Sequence, residues 1–121
     1  MPDPTIMANA VQAYFDGFRN RDLDAIVALF ADDATVEDPI GSPLLTDRDA
    51  IRAFYHKSVA AEVVLEQEGN TRIGGDYAVF AFFAVVPDMG HVEVIDTFRF
   101  NEDGKIVEMR AFFGPGNVKP G

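Results

Sequence analysis

The sequence predicts an α+β domain in which three N-terminal helices pack on one face of a curved, mostly antiparallel sheet. Two observations carry that expectation. Apolar residues recur at three- and four-residue steps up to about residue 60 and at two-residue steps after it. The strand-like runs of the second half are separated by short segments of hairpin type, Asp88-Met89-Gly90 and Asn101-Glu102-Asp103-Gly104. Helices gathered first and antiparallel strands afterwards are the pattern of helices laid on one face of a sheet. At 121 residues and 48% hydrophobic content, the chain can bury one core but not two, so a single domain spanning residues 1–121 is expected.

Taking the elements in order, Ile6, Met7, Ala10, Val11, Tyr14, Phe15 and Phe18 mark an amphipathic helix from Thr5 to Asn20, with Tyr14 on its buried stripe. Asp22 caps a short second helix from Leu23 to Phe30, striped by Leu23, Ile26, Val27 and Phe30. Ala34 to Asp38 alternates small or apolar residues with polar ones and reads as a strand, ended by Pro39 and Gly41, with Asp38 on the same side as Val36. Glu37 then points the other way, and Asp32-Asp33 reads as a solvated turn. Thr46 with Asp49 three residues on resembles a capping box for a third helix running to about Val59, with Ile51, Phe54, Tyr55 and Val59 inward. Strands are expected at Val63 to Gln67, Tyr77 to Pro87, His91 to Phe100 and Lys105 to Gly114.

Composition removes several kinds of chemistry. The formal charge of −10 repels phosphate backbones and anionic headgroups, so neither nucleic acid nor membrane is an expected partner. The absence of cysteine removes disulfides, thiolate nucleophiles and thiolate metal sites. His56 and His91 are far apart and neither has a second histidine at ligand spacing, so no metal is expected. The first residues carry two prolines and an aspartate where a signal peptide needs basic and then apolar residues, and no apolar run is long enough to span a bilayer; a cytoplasmic protein is the expectation. Eleven Phe and three Tyr with no Trp supply flat apolar surface, which suits a core and an oily ligand alike.

The informative polar residues are those in apolar company. A two-residue period through His91 to Phe100 puts Val92, Val94, Asp96, Phe98 and Phe100 on one face, so one carboxylate stands in an apolar row. Such an acid either finds a cation, as a structural acid paired with an arginine would, or stays protonated and becomes a hydrogen-bond donor. Asp38 lies on another apolar face and Tyr14 on an apolar helix stripe. Three elements thus aim proton-handling groups inward, which a cavity explains more simply than a closed core. With no metal, thiol or phosphate loop, the remaining chemistry is proton transfer aided by oriented hydrogen bonds. An ionised carboxylate beside a neutral one suits proton abstraction next to a carbonyl, with Tyr14 and Asp96 holding the developing enolate oxygen.

Three runs then resemble one family across nearly the whole chain: Asn20 through Asp38-Pro39-Ile40-Gly41, Ala50-Ile51-Arg52-Ala53-Phe54-Tyr55, and Ile95-Asp96-Thr97-Phe98-Arg99-Phe100. They are similar to the bacterial Δ5-3-ketosteroid isomerases, the family that itself serves as a standard illustration of an aspartic acid kept neutral so that it can donate a hydrogen bond. The resemblance implies a cone-shaped fold of the nuclear-transport-factor-2-like (SnoaL-like) type, a homodimer, no cofactor, and a small apolar ketone, a 3-oxo steroid, as substrate. It implies Asp38 as the base, Tyr14 and Asp96 as the oxyanion hole, and Tyr55 behind Tyr14. Phe54, Phe82, Phe98, Met109 and Phe113 are the expected pocket walls. Phe30 stands where some relatives carry a third tyrosine, which shortens the hydrogen-bond chain behind Tyr14. The scaffold also hosts epoxide hydrolases and polyketide cyclases, and a non-catalytic domain that holds an apolar ligand is a further alternative. Those hydrolases would want an arginine between two aspartates, whereas the strand period turns Arg99 and Arg110 away from the pocket.

Overall fold

The computed structural model describes residues 2–120. Helix α1 spans Pro4–Arg19, with Pro4 in the first turn, where its missing N–H would have had no helical partner, and the Asp3 carboxylate accepting from the Thr5 N–H at 2.7 Å. Its buried stripe is Met7, Ala10, Val11, Tyr14, Phe15 and Phe18. Ile6, expected on that stripe, is half exposed and lies over Gly104, where any Cβ would come within 2.6 Å of it.

Helix α2 is shorter than the apolar pattern suggests. It spans Leu23–Val27, capped by the Asp22 carboxylate, and β1 already begins at Phe30 and runs to Glu37. Lys105 Nζ donates to the Ala28 carbonyl at 3.0 Å and the Ile106 N–H to the Leu29 carbonyl at 2.9 Å, so the sheet takes the carbonyls at which the helix would continue. Asp32 and Asp33 are exposed within β1 itself, at an irregularity in its pairing between Phe30 and Thr35, and not in a separate turn.

Helix α3 spans Arg48–Ala60, and its cap is Asp47 instead of Thr46: the Asp47 carboxylate accepts from the Ala50 N–H at 2.8 Å. A charged acceptor there also complements the positive end of the helix dipole.

Four long strands follow, β2 (Val64–Gly74), β3 (Tyr77–Val86), β4 (Gly90–Phe100) and β5 (Ile106–Phe112). Strand β2 runs well past Gln67 because it stays paired with β3 as far as Gly74 opposite Tyr77; as an edge strand with most of its residues exposed, it shows no alternation by which the sequence could mark that length. The order in the sheet is β1-β5-β4-β3-β2, antiparallel except for the β1 and β5 pair, which is parallel. After β5 comes a 3-10 turn at Pro115–Asn117, and the two-residue β6 (Val118–Lys119) pairs with His91 and Val92 of β4.

The inner face of the sheet contributes Phe80 and Phe82 from β3, Phe98 and Phe100 from β4, and Met109 and Ala111 from β5 to one core shared with α1 and α3. Phe98 is wholly buried and meets the rings of Tyr14 and Phe80 edge-on at 5.0 Å, so Phe98→Ala would cost about 3–5 kcal/mol. Ile95 and Phe112 project from the opposite face of the sheet into solvent. Helices lie over the inner face only, and the space between α1, α3 and the strands holds the site.

Candidate active site

Tyr14 reaches the interior from α1 and Tyr55 from α3, both almost fully buried, with their hydroxyls 3.2 Å apart and sharing a hydrogen bond. The Tyr14 ring packs against Phe18, Phe80 and Phe98 at 5.1, 6.3 and 5.0 Å, so its hydroxyl is fixed by packing on several sides. Burial, followed by the nearby Tyr55 and Asp96, pushes the Tyr14 hydroxyl well above its usual 10, and it stays protonated.

Asp96 is 0% exposed, the one buried polar residue of the core among the described residues, and neither carboxyl oxygen has a hydrogen-bond partner there. The arginine pairing that would make it a structural acid is thus absent among those residues. Burial first, and the charge of Asp38 second, raise its carboxyl well above the usual 3.8. Burial thus favours its neutral carboxylic acid form, a donor buried without an acceptor, which is costly in a site that never meets one.

Asp38 sits just past the end of β1, in a turn where the Ile40 N–H donates to the Ala111 carbonyl at 2.8 Å. It is partly exposed, and burial alone raises it from 3.8 to about 6. At pH 7 it is ionised by about ten to one. Glu37 turns away, accepting from the Gly41 N–H.

These groups meet in a cavity of about 110 Å³ lined by Tyr14, Asp38, Tyr55 and Asp96, with the expected Phe54, Phe82 and Phe113 in its walls. Phe98 and Met109 are not at its surface. They pair across β4 and β5 one step deeper than Asp96, behind the Tyr14 ring, and belong to the core. The wall also contains Phe18, Ser58, Val63, Leu65, Ala84, Val92 and Val94, which the sequence did not single out. Val92 and Val94 share the strand face of Asp96 and could have been named from that; Ser58 follows Tyr55 by three residues on α3. Arg99 and Arg110 are absent from the wall, and Arg110 pairs with Glu108 at 3.3 Å.

A larger hollow of about 730 Å³ lies on the outer face, between Phe83, Val85, Met89 and His91, but none of its polar residues is buried. The chemistry converges on the smaller cavity. Among the described residues, no three or more of His, Cys, Asp and Glu are grouped so as to hold a metal ion, and no helix is long and apolar enough to cross a membrane.

Residues 11–109 match the SnoaL-like domain family. The chain is 41% identical over 113 residues to a steroid Delta-isomerase of Nocardioides simplex, a match covering 90% of each protein. Its structure also superposes with a TM-score of 0.92 on that of SalBIII, described as an epoxide hydrolase/cyclase-like enzyme with a role in pyran ring formation in the polyether salinomycin, at 31% identity over 100% of both chains. The nuclear-transport-factor-2-like fold expected from the sequence is thus the observed one.

Proposed function

The chain belongs to the SnoaL-like domain family, and we propose that within it this protein is a steroid Δ-isomerase that converts 3-oxo-Δ5-steroids to 3-oxo-Δ4-steroids. The observation that carries the reading is Asp96: a wholly buried, unpartnered carboxylic acid, opening with Tyr14 onto the apolar cavity that Asp38 also lines. Asp96, a donor without an acceptor, Tyr14, whose proton goes to Tyr55 in the empty cavity, and one ionised acceptor suit a ligand that brings a carbonyl oxygen to the two donors and an acidic C–H to the acceptor.

Asp38 takes a proton from C4, which lies between the carbonyl and the double bond. The electron pair left behind delocalises onto the C3 oxygen, where Tyr14 and Asp96 each donate a hydrogen bond. Asp38, now a carboxylic acid, returns the proton at C6, and the double bond comes to rest in conjugation with the carbonyl. Protons and electrons balance within the substrate, so the reaction draws on no cofactor. In the empty cavity the Tyr14 hydroxyl donates to Tyr55; with a ligand oxygen in place Tyr14 turns its proton to that oxygen and accepts from Tyr55. At about 110 Å³ the cavity is below the roughly 300–1,000 Å³ of most small-molecule sites, so it would enclose one end of a polycyclic ketone and leave the other at the mouth.

The likeness to SalBIII favours a second reading, an epoxide hydrolase or cyclase. The lack of a guanidinium among the lining residues weighs against it. A third, a domain that merely holds an apolar ligand, is separated by experiment. The purified protein is mixed with 5-androstene-3,17-dione and the conjugated enone followed by its ultraviolet absorbance, with Asp38→Asn in parallel. Fast conversion that the variant lacks supports the isomerase; steroid binding without conversion supports the binding domain; neither binding nor conversion overturns both.

A homodimer fits the same reading. Ile95 and Phe112, 46% and 40% exposed on the outer face, form an apolar patch that a second copy would cover. Sedimentation of the wild type should give twice the mass of the chain, and Ile95→Glu should shift it towards the single chain.

A further inference from the structure

We propose that Ser58 is a second recognition point at the mouth of the cavity, taking a hydrogen-bonding oxygen at the end of the substrate opposite its reacting carbonyl. The inference rests on the isomerase reading and narrows its substrate class to 3-oxo-Δ5-steroids that carry such an oxygen.

Five polar residues line the cavity, Tyr14, Asp38, Tyr55, Ser58 and Asp96, and the proton transfer uses four of them. Ser58 is the remainder. It follows Ile51 by seven residues, Phe54 by four and Tyr55 by three, so it occupies the inward stripe of α3 where an apolar residue is the usual choice. A helical serine commonly turns its hydroxyl back to the carbonyl four residues earlier, yet among the described residues the Ser58 hydroxyl has no hydrogen-bond partner at all. Ser58 is half-buried and lines the cavity beside the apolar Phe54, Val63 and Leu65.

Its depth follows from the pairing of the strands. The Ser58 carbonyl accepts from the Val63 N–H at 3.2 Å, which ties the end of α3 to the start of β2. Two residues on, Leu65 pairs with Ala84 and Ala84 with Val92, forming one row across the cavity wall. Asp96 lies four residues further along β4 than Val92, roughly 13 Å deeper at strand rise. Ser58 and Asp96 therefore stand at opposite ends of the wall, with Val94, Phe82 and Phe113 between them as apolar lining. A rigid, fused ketone with oxygens at both ends matches that order of donor, apolar span and hydroxyl. Because a serine hydroxyl both donates and accepts, the distal group can be a carbonyl or an alcohol. It is neutral, so it serves recognition without drawing a proton from Asp38.

The test compares two substrates that share their reacting rings, 5-androstene-3,17-dione and 5-androsten-3-one, which has a methylene at carbon 17. For each, kcat and KM are measured with wild type, Ser58→Ala and Ser58→Thr. The ratio of kcat/KM for the dione to that for the monoketone should fall about fivefold in Ser58→Ala, through KM of the dione, and return towards the wild-type ratio in Ser58→Thr, which keeps the hydroxyl. Any loss of folded protein affects both substrates equally and cancels in the ratio. An unchanged ratio in Ser58→Ala, with the wild type converting both substrates, overturns the role of Ser58 and leaves the isomerase reading standing. Conversion of neither substrate by the wild type overturns both.

Discussion

The floor and the rim of one cavity hold the same side chain in two states. At the floor, Asp96 is wholly removed from water with no partner for either oxygen, and burial favours its protonated form. At the rim, Asp38 keeps part of its surface in solvent and rises only to about 6. Neither chain position nor residue type sets them apart; the depth of burial does. The proposed division into a neutral donor and an ionised base thus needs no counter-ion, and it depends on water reaching one aspartate and not the other.

The sharpest way to break this comparison is at the rim. Asp38→Asn keeps shape and removes the only ionised acceptor among the lining residues, so turnover should fall on the order of 10⁴-fold while steroid binding, measured by equilibrium titration, is retained. Loss of less than tenfold would mean that the proton travels by another group. At the floor a single donor is less decisive, because the other remains. Tyr14→Phe should lower kcat about 10²- to 10³-fold, and a loss equal to that of Asp38→Asn would contradict the sharing of the oxyanion between two donors.

Titration sharpens the same contrast. In the proposed mechanism the carboxylate of Asp38 is the active form, so kcat/KM should be half-maximal near pH 6, fall tenfold per unit below it and hold level above. Asp96 acts on stability with the opposite requirement. Its folded value is raised, so the contribution of its proton to stability is complete below the usual 3.8 and is lost as pH rises through the raised folded value. Urea unfolding of the wild type and of Asp96→Leu should therefore diverge with rising pH, the variant gaining up to about 1.4 kcal/mol per pH unit within that window. A pH-independent difference would mean that Asp96 has an ordinary value and is not the neutral donor.

What the sequence disclosed follows the same division. The face on which Asp96 sits was legible because a two-residue period through β4 needs no knowledge of any other strand. The end of α2 was not, because Phe30 joins β1 through pairing with Ile106, a partner far along the chain that no local pattern contains. In the site, period told which side chains point inward but not how deep each lies. Tyr14, Tyr55, Asp38 and Asp96 gather as the sequence suggested, whereas Phe98 and Met109, on the right faces, sit one step beyond the cavity in the core. Ser58 escaped notice for a related reason: a hydroxyl on a helix stripe has meaning only once the wall around it is known to be apolar.

The smallest expected effect lies behind the floor, at Tyr55. Its hydroxyl bonds Tyr14 at 3.2 Å, longer than most O–H···O contacts, while its ring is held independently by Phe30 and Phe54 at 5.5 and 5.1 Å. Tyr55→Phe should keep that packing and cost kcat only about two- to tenfold, the worth of one ordinary hydrogen bond, with the half-maximal pH of kcat/KM unmoved because Asp38 is untouched. A loss as large as that of Tyr14→Phe would mean that Tyr55, which also opens on the cavity, donates directly to the substrate oxygen. The floor would then hold its oxyanion by a different pair of groups, while the contrast with the rim, which depends on Asp96 being dry and Asp38 wet, would stand.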